Sequence, residues 1–124
     1  MQKQFIFFDF AGTLVRMRPA RLSVKRSNLI KLREKYCLGI ITGAGKSETM
    51  NILNKLKIYD LFSLIITKDD SNLRKPNAKL FPNSEIAFYI GDTKKDELLA
   101  RNANVAFFRV NKKYNINDIL QKII

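Results

Sequence analysis

Histidine is absent from the 124 residues, and cysteine occurs once, at Cys37. The first absence removes Ser-His-Asp triads, Cys-His dyads, His-ligated zinc and haem held through a proximal His. A lone cysteine closes no intrachain disulfide and cannot build a cysteine-based zinc or iron–sulfur site. Acid–base and nucleophilic chemistry is left to Asp, Glu, Lys, Tyr, Ser or Thr. Long apolar runs are lacking too. Phe5-Ile6-Phe7-Phe8 is cut short by Asp9, well below the ~20 residues that span a bilayer and too short for the core of a secretory signal. A soluble cytoplasmic protein is expected, with no membrane partner, and the free cysteine suits a reducing compartment. No repeat, low-complexity tract or Pro/Gly-rich linker divides the chain. One domain over residues 1–124 is expected.

Positive charge is plentiful. Lys and Arg number 23 against 11 Asp and Glu, a formal net charge of +12. That balance favours polyanionic partners, namely nucleic acid, phosphorylated molecules or an anionic surface. Its bland alternative is lysine spread over solvated faces. Apolar residues at 46% and charged residues at 27% are enough to build a core.

Short apolar runs alternate with helical stretches, as in βαβ units. Strands are expected at Phe5–Asp9, Leu38–Thr42, Phe62–Thr67, Ile86–Ile90 and Val105–Val110. Helices are expected from about Ser27 to Tyr36, with Leu29, Ile30 and Leu32 inside, from Lys46 to Leu56, and from Lys94 to Ala103. Asn104 stands where the third of these should stop, since Asn tolerates the left-handed conformation. Asn115 and Asp118 resemble a capping pair for a last helix striped by Ile116, Ile119, Leu120, Ile123 and Ile124. The fold class is α/β: a Rossmann-like five-stranded parallel sheet with helices on both faces.

In such sheets ligands bind beyond the carboxyl ends of the strands. Those ends carry Asp9-Phe10-Ala11-Gly12-Thr13-Leu14, then Thr42-Gly43, then Lys75-Pro76 on a loop, then Gly91-Asp92-Thr93-Lys94-Lys95-Asp96. Carboxylates suit a hard cation such as Mg2+, which usually binds beside substrate phosphate. A hydroxyl, an ammonium and glycine-rich backbone suit phosphoryl oxygens. A P-loop is excluded because Gly39 lies one residue too far from Gly45-Lys46-Ser47. A receiver domain needs an acidic pair after the first strand, where Asp9 stands alone; the pair Asp69-Asp70 precedes the lysine instead.

These four motifs, in this order, resemble the haloacid dehalogenase superfamily of phosphohydrolases over nearly the whole chain. The resemblance implies Asp9 as nucleophile, forming an aspartyl phosphate. It implies Mg2+ on Asp9, the Ala11 carbonyl and Asp92, with Asp96 in direct or supporting contact. Thr42, Lys75 and the amides around Ala11, Gly12 and Gly43 would hold a phosphorylated substrate. Asp92 and Asp96 stand one helical turn apart and so face the same point.

The pattern departs from the phosphatases at Ala11, where they carry the Asp that protonates the leaving oxygen. Asp-x-Ala-Gly-Thr resembles the phosphonoacetaldehyde hydrolases, which use a lysine from a cap domain. Between Asp9 and Leu38 there is space for about one loop and one helix, so no cap domain is expected. Either Thr13, Lys94, Lys95 or water replaces the acid, or catalysis is slow, or hydrolysis has been lost. Capless relatives often take large substrates or borrow a neighbouring subunit as a lid. Residues 16–35 hold Arg16, Arg18, Arg21, Lys25, Arg26, Lys31, Arg33 and Lys35 against a single acid, Glu34. The first part of this basic stretch should lie near the mouth of the site. The alternative function is a non-catalytic module whose basic face binds a polyanion such as nucleic acid.

Overall fold

The computed structural model describes residues 3–124. In chain order the elements are β1 (Phe5–Phe8), β2 (Val15–Arg16), β3 (Arg21–Leu22), α1 (Arg26–Arg33), β4 (Cys37–Ile41), α2 (Lys46–Lys55), β5 (Leu64–Ile66), β6 (Ile86–Gly91), α3 (Lys94–Asn102), β7 (Ala106–Arg109) and α4 (Ile116–Ile123). Single 3-10 turns occupy Tyr59–Leu61 and Ala78–Leu80. The five long strands form one sheet in the order β5-β4-β1-β6-β7. All of its pairings are parallel. β1 lies at the centre, which explains why it reads as an unbroken apolar run: both of its faces are covered.

Side chains alternate across that strand. Ile6 and Phe8 face a core built with Leu29 and Leu32 of α1, Leu53 of α2, and Ile116, Ile119 and Leu120 of α4. Phe7 faces the other way, onto Leu99 and Ala100 of α3 and Leu80. Helices therefore cover both faces of the sheet. The stop at Asn104 is left-handed, with φ 56°, and Asn115 accepts from the Asp118 N–H at the start of α4.

Two features depart from the sequence expectation. Ile30 is exposed, because 100° of helical rotation per residue carries it off the stripe of Leu29 and Leu32. The segment after β1 also holds a short antiparallel hairpin, β2 with β3, in which Val15 faces Leu22 and Arg16 faces Arg21. This hairpin divides the basic stretch. Arg16, paired with Arg21, lines a cleft with Asp92 at the carboxyl edge, while α1 carries Lys31 and Arg33, and the turn after it Lys35, toward the amino ends. There Lys35 Nζ donates to the Ile124 carbonyl. Among the described residues, no helix is long and apolar enough to cross a membrane.

Candidate active site

The strand order puts the end of β1 between the ends of β4 and β6, so their following loops meet. Asp9, one residue past β1, is buried at 9% exposure. Ligand oxygens of Asp9, Asp92 and Asp96 all lie within 4.8 Å of one another. Lys75 reaches in from the loop after β5; its Nζ donates to Asp9 Oδ1 at 2.6 Å and to Asp96 Oδ1 at 2.7 Å. One ammonium thus serves two carboxylates, and a third stands beside them.

Asp96 is the best satisfied of the three. Its Oδ1 accepts from Lys75 and from the Tyr89 hydroxyl at 2.7 Å, and its Oδ2 accepts from Thr93 Oγ1 at 2.9 Å. The Asp92 and Thr93 amides also donate to Oδ2, each at 3.2 Å. Burial opposes its ionisation, but Lys75, Tyr89 and Thr93 together hold its carboxyl below the usual carboxylate range. Asp9 bears the resulting deficit. Burial pushes it up to about 7, with Lys75 acting against the shift and Asp96 adding to it. Burial and the neighbouring Asp96 charge likewise push the Tyr89 hydroxyl up, so Tyr89 is a donor only.

Lone pairs already taken by protein donors make Asp96 a poor direct ligand. Asp9 and Asp92 are the freer oxygens, although Asp92 Oδ1 accepts from the buried Thr13 hydroxyl at 3.2 Å. Asp96 instead fixes its neighbours: it closes a capping box with Thr93 at the start of α3, orients Lys75 and ties both to Tyr89. The sequence reading gave no role to Tyr89 or Thr93. The Thr-x-x-Asp spacing of Thr93 and Asp96 is a capping pattern that reveals the second. The polar tip of a tyrosine in a buried strand, which must find a partner, points to the first.

Thr42, Gly43 and Lys75 line one small cavity of about 20 Å³. Thr42 Oγ1 accepts from the Ala44 amide at 3.1 Å, which leaves its hydrogen to donate. Among the described residues the Ala11 and Gly43 amides have no hydrogen-bond partner, and a Cβ at Gly43 would meet nothing within 4 Å. Gly12 differs from the expectation: its amide donates to the Val15 carbonyl at 2.8 Å, so it closes the loop rather than facing a ligand. Its φ of +87° and the Asp92 carboxylate against its Cα demand glycine. Behind the cavity, Asp69 accepts from the Lys46 amide at 2.7 Å and fastens the start of α2. A larger cavity of about 590 Å³ opens at the other end of the strands, beside Ile86 and Asn104, away from every carboxylate above.

Gly91 gives a local test of this packing. A Cβ there would lie 2.6 Å from Asp96 Cβ and Cγ. Gly91→Ala should cost about 1–3 kcal/mol through overpacking and release α3's capping box, read as a lower urea midpoint. A midpoint equal to wild type would contradict the close approach of Gly91 to Asp96.

Residues 22–110 match the haloacid dehalogenase-like hydrolase family. The chain belongs to that family. The match begins after Asp9–Leu14, so it stands independently of that loop. No curated protein matches the chain. Among solved structures, a haloacid dehalogenase-superfamily hydrolase of Geobacter sulfurreducens has a TM-score of 0.73 at 14% identity, covering 98% of this chain and 100% of its own. A phosphatase of Thermococcus thioreducens has the same TM-score at 24% identity; 84% of this chain covers only 45% of that one. A Bacillus subtilis protein described as a haloacid dehalogenase-type hydrolase bound to magnesium has a TM-score of 0.67 at 10% identity, covering 94% and 92%. At these identities the likeness shows the fold.

Proposed function

We propose that this haloacid dehalogenase-like protein is a Mg2+-dependent phosphohydrolase of the phosphomonoesterase type, acting through an aspartyl phosphate on Asp9. The observation that carries the reading is the convergence of Asp9, Asp92, Asp96 and Lys75 at one strand edge, with one ammonium for three carboxylates. That donor set is all oxygen and short of positive charge, which fits a hard dication. Asp9, Asp92 and the Ala11 carbonyl would hold the ion, with Asp96 supporting through Lys75. When bound, Mg2+ supplies charge neutralisation for the phosphoryl oxygens.

The protein's own groups do the rest. Asp9 attacks phosphorus, the ester bond to the leaving oxygen breaks, and water then cleaves the acyl phosphate. Thr42, Lys75 and the Ala11 and Gly43 amides bind the phosphoryl oxygens. Ala11 has no proton to give, and Lys94 and Lys95 stand exposed in the first turn of α3. The leaving oxygen therefore takes its proton from water, and turnover is slow for basic leaving groups. A phosphatase and a magnesium-bound hydrolase among the structural neighbours agree with this chemistry.

Melting with and without Mg2+, paired with p-nitrophenyl phosphate hydrolysis, tests it. Saturating Mg2+ at about 100 times its Kd should add about 2.7 kcal/mol of stability, and hydrolysis should need the ion. Asp92→Asn should remove most of the Mg2+ gain. An unchanged Mg2+ response in Asp92→Asn would overturn the metal assignment.

A further inference from the structure

We propose that the substrate is the phosphorylated end of a single-stranded polynucleotide, with Arg16 and Lys112 on the neighbouring phosphate and Tyr114 on a base. This substrate class rests on the phosphohydrolase reading above. β7 runs beside β6 with Arg109 opposite Gly91, and the Val110 amide donates to the Gly91 carbonyl at 2.8 Å. The loop after β7 is thereby held next to Asp92. Between that loop and the hairpin opens a cleft of about 420 Å³, lined by Gly12, Arg16, Asp92 and Lys112 among others. A leaving group extending from a phosphoryl group at Asp9 enters this cleft between two cations.

Neither cation is otherwise engaged: among the described residues, Arg16 and Lys112 form no ion pair. Arg16 also stands directly opposite Arg21, a like-charge pair that is unfavourable until an anion joins it. A second cleft of about 390 Å³ shares Asn111 with the first and is lined by Phe107, Arg109, Tyr114 and Lys122. Tyr114 is 45% exposed, and the Lys113 and Lys122 ammonium groups lie 5.4 and 5.7 Å from its ring centre.

The track thus runs from reacting carboxylate to cations to an exposed aromatic flanked by cations. Single-stranded nucleic acid presents the matching series, since phosphates need cations and every base offers a face for stacking. A small sugar phosphate would leave the second cleft unused, and the net charge of +12 exceeds what one phosphate requires. The same cations stand on the leaving-group side, where they counter charge developing on the departing oxygen. As Asp9 bonds phosphorus the ester P–O bond breaks, and the leaving oxygen takes a proton from water to give a polynucleotide ending in a free hydroxyl; a second water then cleaves the aspartyl phosphate and releases inorganic phosphate.

Short oligothymidylates bearing a 3′- or a 5′-phosphate are compared with thymidine monophosphates and p-nitrophenyl phosphate in Mg2+. The kcat/KM on one oligonucleotide should exceed that on its mononucleotide at least about tenfold. Tyr114→Ala and Lys112→Ala should each lower the ratio of oligonucleotide to p-nitrophenyl phosphate activity about tenfold, mainly through KM. Lys31→Ala, on α1 and lining neither cleft, serves as a charge control and should leave that ratio unchanged. Without Mg2+, fluorescence anisotropy should show oligonucleotide binding whose log affinity falls against log salt with a slope of about −2, as expected for about three phosphate contacts.

Hydrolysis of p-nitrophenyl phosphate with no oligonucleotide preference would overturn the substrate class and leave the phosphohydrolase standing. Equal effects of Lys31→Ala and Lys112→Ala would also overturn it. Oligonucleotide binding that needs Tyr114 and Lys112, without hydrolysis of any ester, supports the track and overturns the hydrolase.

Discussion

Ala11→Asp should accelerate hydrolysis of simple alkyl phosphates by about 10²–10⁴-fold, the range for a placed proton donor. Ala11 is exposed, beside the buried Asp9 and the partly buried Asp92, so a carboxylate there enters the site without displacing core. The gain should be smallest for p-nitrophenyl phosphate, whose leaving group departs without protonation. The wild type should meanwhile accumulate phosphoenzyme, because the carboxylate absent at Ala11 is also the group that would activate water for its breakdown. Acid-quenched samples with labelled substrate measure that species directly. No phosphoenzyme in the wild type, together with no gain in Ala11→Asp, would mean that the site no longer performs the chemistry.

Asp9→Asn should abolish activity in both backgrounds and, separately, change how the metal-free protein responds to pH. The Asp9 carboxyl is pushed up to about 7 in the fold, chiefly by burial, against about 4 in an unfolded chain. The folded state therefore holds this proton more tightly. Its stabilising contribution is complete below about pH 4 and is lost as pH rises through about 7, where an ionised Asp9 costs a few kcal/mol. Urea melts in EDTA should show wild-type stability falling across that window, and Asp9→Asn should flatten the fall. A variant with the full wild-type slope would place the titration elsewhere.

The parallel sheet was legible because buried parallel strands are continuous apolar runs, and Phe5–Phe8, Cys37–Ile41 and Ile86–Gly91 are that. Asp9, Thr42 and Asp92 were legible as polar residues just beyond such runs, and Lys75 as a lysine on the loop past the third. The β2–β3 hairpin was not, since strands of two residues carry no alternation and each pairs one apolar residue with an arginine. Nor was the division of labour among the carboxylates. Asp92 and Asp96 are the same residue type on one short segment, and only the donors gathered from Lys75, Tyr89 and Thr93 set Asp96 apart. The Gly12 amide was expected to face phosphoryl oxygens, but its partner is Val15, three residues on, through a turn the sequence did not announce.

The central place of β1 also governs the order in which the molecule can be built. β1 is made first, yet one of its edges pairs with β4 and the other must wait for β6, from Ile86 onward. Until then the growing chain holds β5, β4 and β1 with an apolar strand open along one side, and such open edges recruit other chains. Closure demands pairing across most of the sequence, which slows folding. Asp92 and Asp96 arrive with that same closure, so a cation held with Asp9 can stabilise the finished sheet but cannot guide its early assembly. A nascent chain released between Lys75 and Ile86 would carry Asp9, Thr42 and Lys75 yet be the species most exposed to aggregation.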